Sequence, residues 1–141
     1  MSDFSLRLFD TGFIIDLVNS HPGAVRFARE VDAEVSLSAI SAVTVHEYLF
    51  GVHFKYKSNH EELNRKIASA MNELERFETI PFTKEIAETS SRLQADLTSE
   101  GGQLGINDLY IAATATYYGL PLVTRNVKDF RRIRPLKLER Y

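Results

Sequence analysis

The stretch from residue 106 to 130, INDLYIAATATYYGLPLVTRNVKDF, constrains the fold more than any other part of the chain. Its first half is rich in alanine and other small residues, which predicts a closely packed helix that ends at Gly119. The apolar residues 120–124 then predict a buried strand, and polar residues follow it. A helix that leads into a buried strand is typical of α/β proteins. In such proteins, polar groups at helix starts and strand ends meet at the carboxyl edge of the sheet.

The rest of the chain alternates in the same way between short apolar runs and helical patterns. Strands are predicted at 6–10 and 35–40, with a short edge strand at 79–82 and a weak terminal strand near 136–138. Helices are predicted at 13–18, 24–31, 42–52, 61–77, 84–100 and from 107 or 108 to 119, with a turn at 53–60. Ser41 and Thr83 are candidate caps. We therefore expect a three-layer α/β/α fold with a mainly parallel four- to five-stranded sheet, as a single domain over 1–141.

Composition fits an ordinary globular protein. Of 141 residues, 44% are hydrophobic and 26% are charged, and cysteine is absent, so disulfides and thiolate metal sites are excluded. No apolar run approaches the ~20 residues that cross a bilayer, and the first ten residues show no signal-peptide pattern. We expect a cytoplasmic protein without a membrane partner.

Charge is distributed unevenly along the chain. From residue 125 onward there are seven Lys or Arg against two acids, a net +5, whereas the preceding 124 residues carry ten against seventeen, a net −7. A solvated charged tail explains this as simply as a basic rim for a phosphate backbone beside an acidic body.

Acidic residues occur at three equivalent points of the predicted fold. Asp10 ends the first strand, Glu47 lies in the second turn of the helix after the second strand, and Asp108 starts the alanine-rich helix, while Asn126 and Asp129 follow the last strong strand. Carboxylates about 5 Å apart at an effective dielectric of about 20 repel by about 3 kcal/mol per pair, so a cluster needs protons or a cation. Oxygen ligands favour Mg²⁺ or Mn²⁺. Taken singly, each acid has a simpler interpretation, as a helix cap or a surface residue.

Four segments, in this order, resemble the PIN-domain family, and more narrowly the ribonuclease toxins of VapBC-type toxin–antitoxin pairs: LFDTGFIIDL, ISAVTVHEYLFGV, INDLYIAATA and LVTRNVKDFRRI. The resemblance extends over about residues 6–138. It implies an Mg²⁺- or Mn²⁺-dependent endoribonuclease in which Asp10, Glu47 and Asp108 bind the metal. The family often places a fourth acid in a Thr-x-Asp motif, where this chain has Thr124-Arg125-Asn126. The fourth catalytic residue is therefore Asn126 or Asp129. The family also commonly has Asn where this chain has Gly12.

Three further residues are candidates for binding the RNA substrate. Thr11 and Thr124 are placed to hydrogen-bond a carboxylate or a phosphate, although plain turn chemistry explains them equally well. Arg125 is a candidate phosphate contact. His46 is not expected to act as a base, because neighbouring helical residues point about 100° apart, and a surface position suits it better.

The resemblance also implies two protein partners, a small antitoxin and a second copy of the chain in a homodimer. A candidate docking surface lies around Phe50, Phe54 and Tyr56 with the helix at 61–77, although ordinary core packing is the simpler explanation for each of these residues. Two other functions stay open. A phosphatase with an Asp10 nucleophile usually has a second acid two residues on, where this chain has Gly12. A non-catalytic PIN-like binding module would fit Asn126 in place of an acid.

Overall fold

The sheet is parallel throughout. The structure, a computed structural model, describes residues 5–34 and 36–141. Its strands are β1 (Ser5–Phe9), β2 (Ser36–Ser41), β3 (Glu78–Ile80), β4 (Pro121–Thr124) and β5 (Lys137–Arg140). They form one sheet in the order β3-β2-β1-β4-β5, and all four pairings are parallel. The predicted fold class is confirmed, with five strands. Val35, predicted to begin the second strand, lies outside the described residues.

The helices of the described chain are α1 (Thr11–Val18), α2 (Pro22–Asp32), α3 (Ala42–Lys55), α4 (His60–Leu74), α5 (Lys84–Ser99), α6 (Ile106–Tyr118) and the short α7 (Val127–Phe130). Both predicted caps are confirmed: the Ser41 hydroxyl accepts from the Val43 N–H at 3.0 Å, and Thr83 accepts from the Ile86 N–H at 3.3 Å.

Most helix boundaries differ from the predictions by one to three residues: the first two helices begin two residues early, at Thr11 and Pro22, and the fourth ends at Leu74 instead of at 77. The third helix continues to Lys55, past the predicted end at 51 or 52, because Gly51 sits within the helix and does not adopt a left-handed conformation. The sixth helix begins at Ile106, slightly before the predicted start. The seventh helix was not predicted. It is a single turn whose one buried residue, Phe130, joins the core, a contact that helical periodicity over four residues does not reveal.

Two hydrophobic cores cover the two faces of the sheet. Adjacent residues on each inner strand enter opposite cores, as Leu8 and Phe9 do on β1. One core contains residues of α5, α6 and α7, and the other contains residues of α1, α2 and α4. This alternation produces the three layers, because successive side chains of a strand point to opposite faces.

The strand order creates a crevice beside β1. The chain builds outward from β1 to β2 and β3, then crosses back to place β4 on the other side of β1. Such a change of direction opens a crevice at the carboxyl ends of the two strands, where α/β proteins bind ligands. Within the described ranges, no helix is both long enough and apolar enough to cross a bilayer.

Candidate active site

Asp10 lies at the floor of the crevice, immediately after β1. Its side chain caps α1 by accepting from the Phe13 N–H at 2.9 Å, and its backbone N–H donates to the Val123 carbonyl of β4 at 3.2 Å. Only 5% of Asp10 is exposed. Burial raises the pKa of its carboxyl to about 6, a hydrogen bond from Thr124 and the one from Phe13 oppose that rise, and the charges of Asp108 and Asp16 add to it. Helix capping therefore does not fully explain why Asp10 is buried. An exposed acid would cap the helix without the cost of removing a carboxylate from water.

Glu47 reaches the same edge from α3, which begins directly after β2. One carboxylate oxygen accepts from the Thr11 hydroxyl at 2.7 Å, and the other accepts from the Asn107 side-chain amide at 3.2 Å. The Thr11 hydroxyl also lies 3.0 Å from that of Thr44, which is fully buried. Glu47 is thus tied to the start of α1 and to the start of α6.

Asp108 lies in the first turn of α6 and does not cap it. The N-cap is Gly105, which has no side chain to donate or accept, and no side-chain hydrogen bond caps the helix. The pKa of Asp108 is raised by burial first, then by the negative charges of Glu47 and Asp129. A Cβ added at Gly105 would lie 4.0 Å from the Asp108 carboxylate, and one at Gly12 would lie 3.6 Å from that of Asp10. Both glycines therefore border the acids directly.

Thr124, the last residue of β4, is buried, whereas the site candidates that follow it are exposed. The Thr124 hydroxyl is hydrogen-bonded to Asp10, and it accepts from the Asn126 backbone N–H at 3.0 Å. Asn126 and Asp129 are both exposed. The Asp129 charge acts on Asp108, whereas Asn126 occupies the N-cap position of α7 without making a side-chain cap bond.

Arg125 turns towards α1 in this structure. Its Nε lies 3.0 Å from Oδ2 of Asp16, and one terminal nitrogen lies 2.8 Å from Nε2 of His21. Thr11 and Thr124, predicted to contact a carboxylate or a phosphate, each hydrogen-bond a carboxylate. Arg125 pairs with Asp16, an acid that the sequence did not single out. His46 is on the surface, as predicted.

The acids are linked in pairs and do not surround one point. Asp108 is electrostatically coupled to Asp10 on one side and to Glu47 and Asp129 on the other. Among residues 5–34 and 36–141, however, no three Asp, Glu or His side chains are close enough together to hold one ion. A shared ion would require these carboxylates to come closer together than they are in this structure.

The chemistry of the donor set fits a hard divalent cation. Every donor is oxygen, and the pKa of both Asp10 and Asp108 is raised by burial first and then by the charges of nearby acids, both of which a bound cation would offset. Asp10, Glu47 and Asp108 are the residues that could hold such an ion, with Asn126 or Asp129 beside them.

Sequence reasoning missed four residues near the crevice: Asn107, Thr44, Asp16 and Tyr141. Asn107 and Thr44 hold Glu47 and Thr11 in place, and Asp16 accepts from the Tyr141 hydroxyl at 2.6 Å. Only Asn107 carried a signal in the sequence, as a polar residue next to Asp108 at a helix start. The other three act through contacts between positions far apart in the chain.

The chain matches a known protein family and is similar to known proteins along most of its length. The family model described as PIN domain matches residues 7–135 of the chain. The chain is similar to a ribonuclease VapC2 of Rickettsia felis, with 32% identity over 96% of this chain and 98% of that protein. It is also similar to a tRNA(fMet)-specific endonuclease VapC of Salmonella typhimurium, with 26% identity over 94% of this chain and 95% of that protein.

The chain is also similar in fold to solved structures. The VapBC2 structure from Rickettsia felis, bound to a DNA fragment from its promoter, superimposes with a TM-score of 0.79 at 31% identity, covering 96% of this chain and 98% of the other. VapBC-1 from nontypeable Haemophilus influenzae gives a TM-score of 0.78 at 28% identity, covering 96% and 97%.

Proposed function

This chain belongs to the PIN-domain family, and on that premise we propose that it is an Mg²⁺- or Mn²⁺-dependent endoribonuclease, the toxin of a VapBC-type pair. The observation that carries the proposal is the coupled set of acids at the carboxyl edge of β1 and β4. Asp10 is nearly buried with a raised pKa, and Asp108 is coupled both to it and to Glu47. A protein gains nothing in stability from such an arrangement, so a functional role is the better explanation.

Each residue would have a defined part in cutting RNA. Asp10 and Asp108 would hold the ion, and Glu47 would be a further ligand or would orient the attacking water. A bound divalent ion would acidify a water molecule and neutralise charge on the phosphate. Thr11 and Asn107 fix the two oxygens of Glu47, and Thr124 fixes Asp10. Of the two candidates for the fourth catalytic residue, Asp129 is favoured over Asn126 because its charge acts on Asp108.

An antitoxin and a second copy of the chain are the proposed protein partners. The two solved relatives described above are VapBC structures. Phe50 and Phe54 are each 60% exposed on α3, and the ring centroids lie 6.0 Å apart. Apolar side chains this exposed in one place suit a partner surface better than the core positions that were the simpler expectation. We place the protein in the cytoplasm, where RNA and an antitoxin would be available.

Cleavage of RNA by the purified protein tests the activity. Bulk tRNA and a mixed-sequence oligoribonucleotide, incubated with Mg²⁺ or Mn²⁺, should be cut by the wild type, and EDTA should stop the cutting. Asp108→Asn should reduce the rate at least 100-fold, since it removes a proposed metal ligand. Asp96→Asn on the exposed surface of α5 is the matched control and should retain full activity.

Growth of a bacterial host tests the biological role. Expression of the wild type should arrest growth, and co-expression of a small open reading frame next to its gene should relieve the arrest. Asp108→Ala should restore growth by itself.

The rival functions give different results. If the protein with metal cuts no RNA and Asp108→Ala changes nothing, it is a PIN-like binding module. An acyl-phosphate trapped on Asp10 would instead indicate a phosphatase.

A further inference from the structure

Arg125 is held by a side chain that lies outside the acidic cluster. Its Nε lies 3.0 Å from Oδ2 of Asp16 on α1 and forms an ion pair with it, while 49% of the Arg125 side chain stays exposed. A guanidinium has five N–H donors in a fixed plane, so most of them remain free for another acceptor. The Asp16 side chain is only 17% exposed, which makes it a fixed rather than a mobile partner.

His21 is not an equivalent anchor for Arg125. Its Nδ1 accepts from the Ala24 N–H at 3.3 Å, capping α2, and its Nε2 lies 2.8 Å from a terminal nitrogen of Arg125. A neutral imidazole has one donor and one acceptor nitrogen, so both nitrogens cannot accept at once. Asp16, and not His21, is therefore the residue that holds the Arg125 guanidinium.

Asp16 is itself fixed from the other end of the chain. The Tyr141 hydroxyl donates to Oδ2 of Asp16 at 2.6 Å, the same oxygen that forms the ion pair with Arg125. The Tyr141 ring packs edge-on against Phe13, with centroids 4.9 Å apart, and Phe13 is fully buried. The half-buried Tyr141 ring, packed on Phe13, thus positions its hydroxyl on the Asp16 carboxylate, and this carboxylate in turn pairs with the Arg125 guanidinium.

The backbone of Arg125 begins at the edge that holds the proposed catalytic acids, and its side chain extends from there to Asp16 and His21. Arg125 directly follows Thr124, whose hydroxyl is hydrogen-bonded to Asp10. A planar, always-charged group with free donors at this position suits a phosphate oxygen of a bound strand. We infer that Asp16 and Tyr141 are positioning residues that hold Arg125 in place to bind a phosphate of the RNA, next to the one that is cut. This rests on the proposed ribonuclease function.

RNA binding without cleavage tests the inference. Affinity for a fluorescently labelled, mixed-sequence single-stranded oligoribonucleotide is measured by anisotropy in EDTA, with Asp108→Asn in every variant. Arg125→Gln should weaken binding about tenfold and lower the slope of log affinity against log salt by about 0.7, the value for one lost phosphate contact on a single strand. Tyr141→Phe, which changes no charge, should weaken binding about threefold.

A double-mutant cycle distinguishes positioning from a general structural effect. When Arg125→Gln is already present, Tyr141→Phe should change the affinity less than 1.5-fold, because there is no guanidinium left to position. In the cleaving protein, Tyr141→Phe should raise KM about threefold and leave kcat within twofold. Arg125→Lys should lose less affinity than Arg125→Gln.

Matched controls come from exposed residues elsewhere. Tyr118→Phe, at the exposed end of α6, and Arg92→Gln, on the exposed face of α5, should leave both the affinity and KM unchanged within twofold. If Tyr141→Phe lowers folded content by circular dichroism, Asp16→Asn replaces it in the same cycle and should show the same dependence on Arg125.

The outcomes separate this inference from the proposed function. Equal effects of Tyr141→Phe with and without Arg125, or a fall in kcat at constant KM, would overturn the inference while wild-type cleavage left the function intact. If the affinities follow the cycle but the protein never cuts RNA, the positioning of Arg125 for a phosphate is supported and the ribonuclease function is contradicted. A wild type that neither binds nor cuts RNA would overturn both.

Discussion

Asp10 should destabilise the metal-free protein, and replacing it with asparagine should therefore stabilise the fold. Burial is the main cause that raises the pKa of Asp10 from 3.8 to about 6. The folded protein consequently binds a proton more tightly than the unfolded chain does, and its stability falls as pH rises through this range. A shift of about two units corresponds to about 3 kcal/mol at neutral pH. Asp10 is only 5% exposed, so solvent screening reduces this little.

The dependence on pH gives the prediction its specific form. Near pH 4 the Asp10 carboxyl is protonated in the folded state and resembles an amide, so wild type and Asp10→Asn should be about equally stable. About half of the difference should be present at pH 5 and nearly all of it at pH 7. The amide cannot reproduce every hydrogen bond with Thr124, so the net gain at pH 7 should be about 1–3 kcal/mol.

Urea unfolding in EDTA at several values between pH 4 and 8, followed by circular dichroism, measures this difference. Asp96→Asn serves as the control for removing one acid and should show no comparable gain, because Asp96 is exposed on α5. If Asp10→Asn is less stable than wild type at pH 7, or if the difference does not change with pH, then the carboxylate is a structural cap and the reasoning is wrong.

Three other predictions concern the ion, Glu47 and the core. Mg²⁺ near 100 times its dissociation constant should raise the unfolding temperature of EDTA-stripped wild type by roughly 9 °C, and that of Asp108→Asn by much less, in a thermal shift assay; equal shifts would argue against a site. Asn107→Ala should lower kcat for RNA about tenfold with KM within twofold, because Glu47 loses its 3.2 Å hydrogen bond; steady-state kinetics with an unchanged kcat would contradict this. Phe9→Ala should lower the free energy of unfolding by about 3–5 kcal/mol in urea, because the ring is 1% exposed, and a loss under 1 kcal/mol would contradict its core role.

The sequence was informative about the site wherever a functional residue adjoins a local boundary. Asp10 follows β1, Asp108 lies in the first turn of α6, and Thr124 ends β4, so periodicity and small-residue content located all three. Contacts between distant positions were invisible. Asp16 and Tyr141 are 125 residues apart, and nothing in either local sequence indicates that they meet.

Local pattern, then, determined which elements form and which polar residues stand at their ends, because hydrogen bonding and side-chain burial along a short segment depend on that segment's own residues. Only the tertiary structure decided that β4 returns to lie beside β1, that Thr11 and Asn107 take hold of Glu47, and that Arg125 is turned towards Asp16. The position of a strand in the sheet depends on how all the buried surfaces pack together. Contacts between distant residues form only where that packing brings their side chains close.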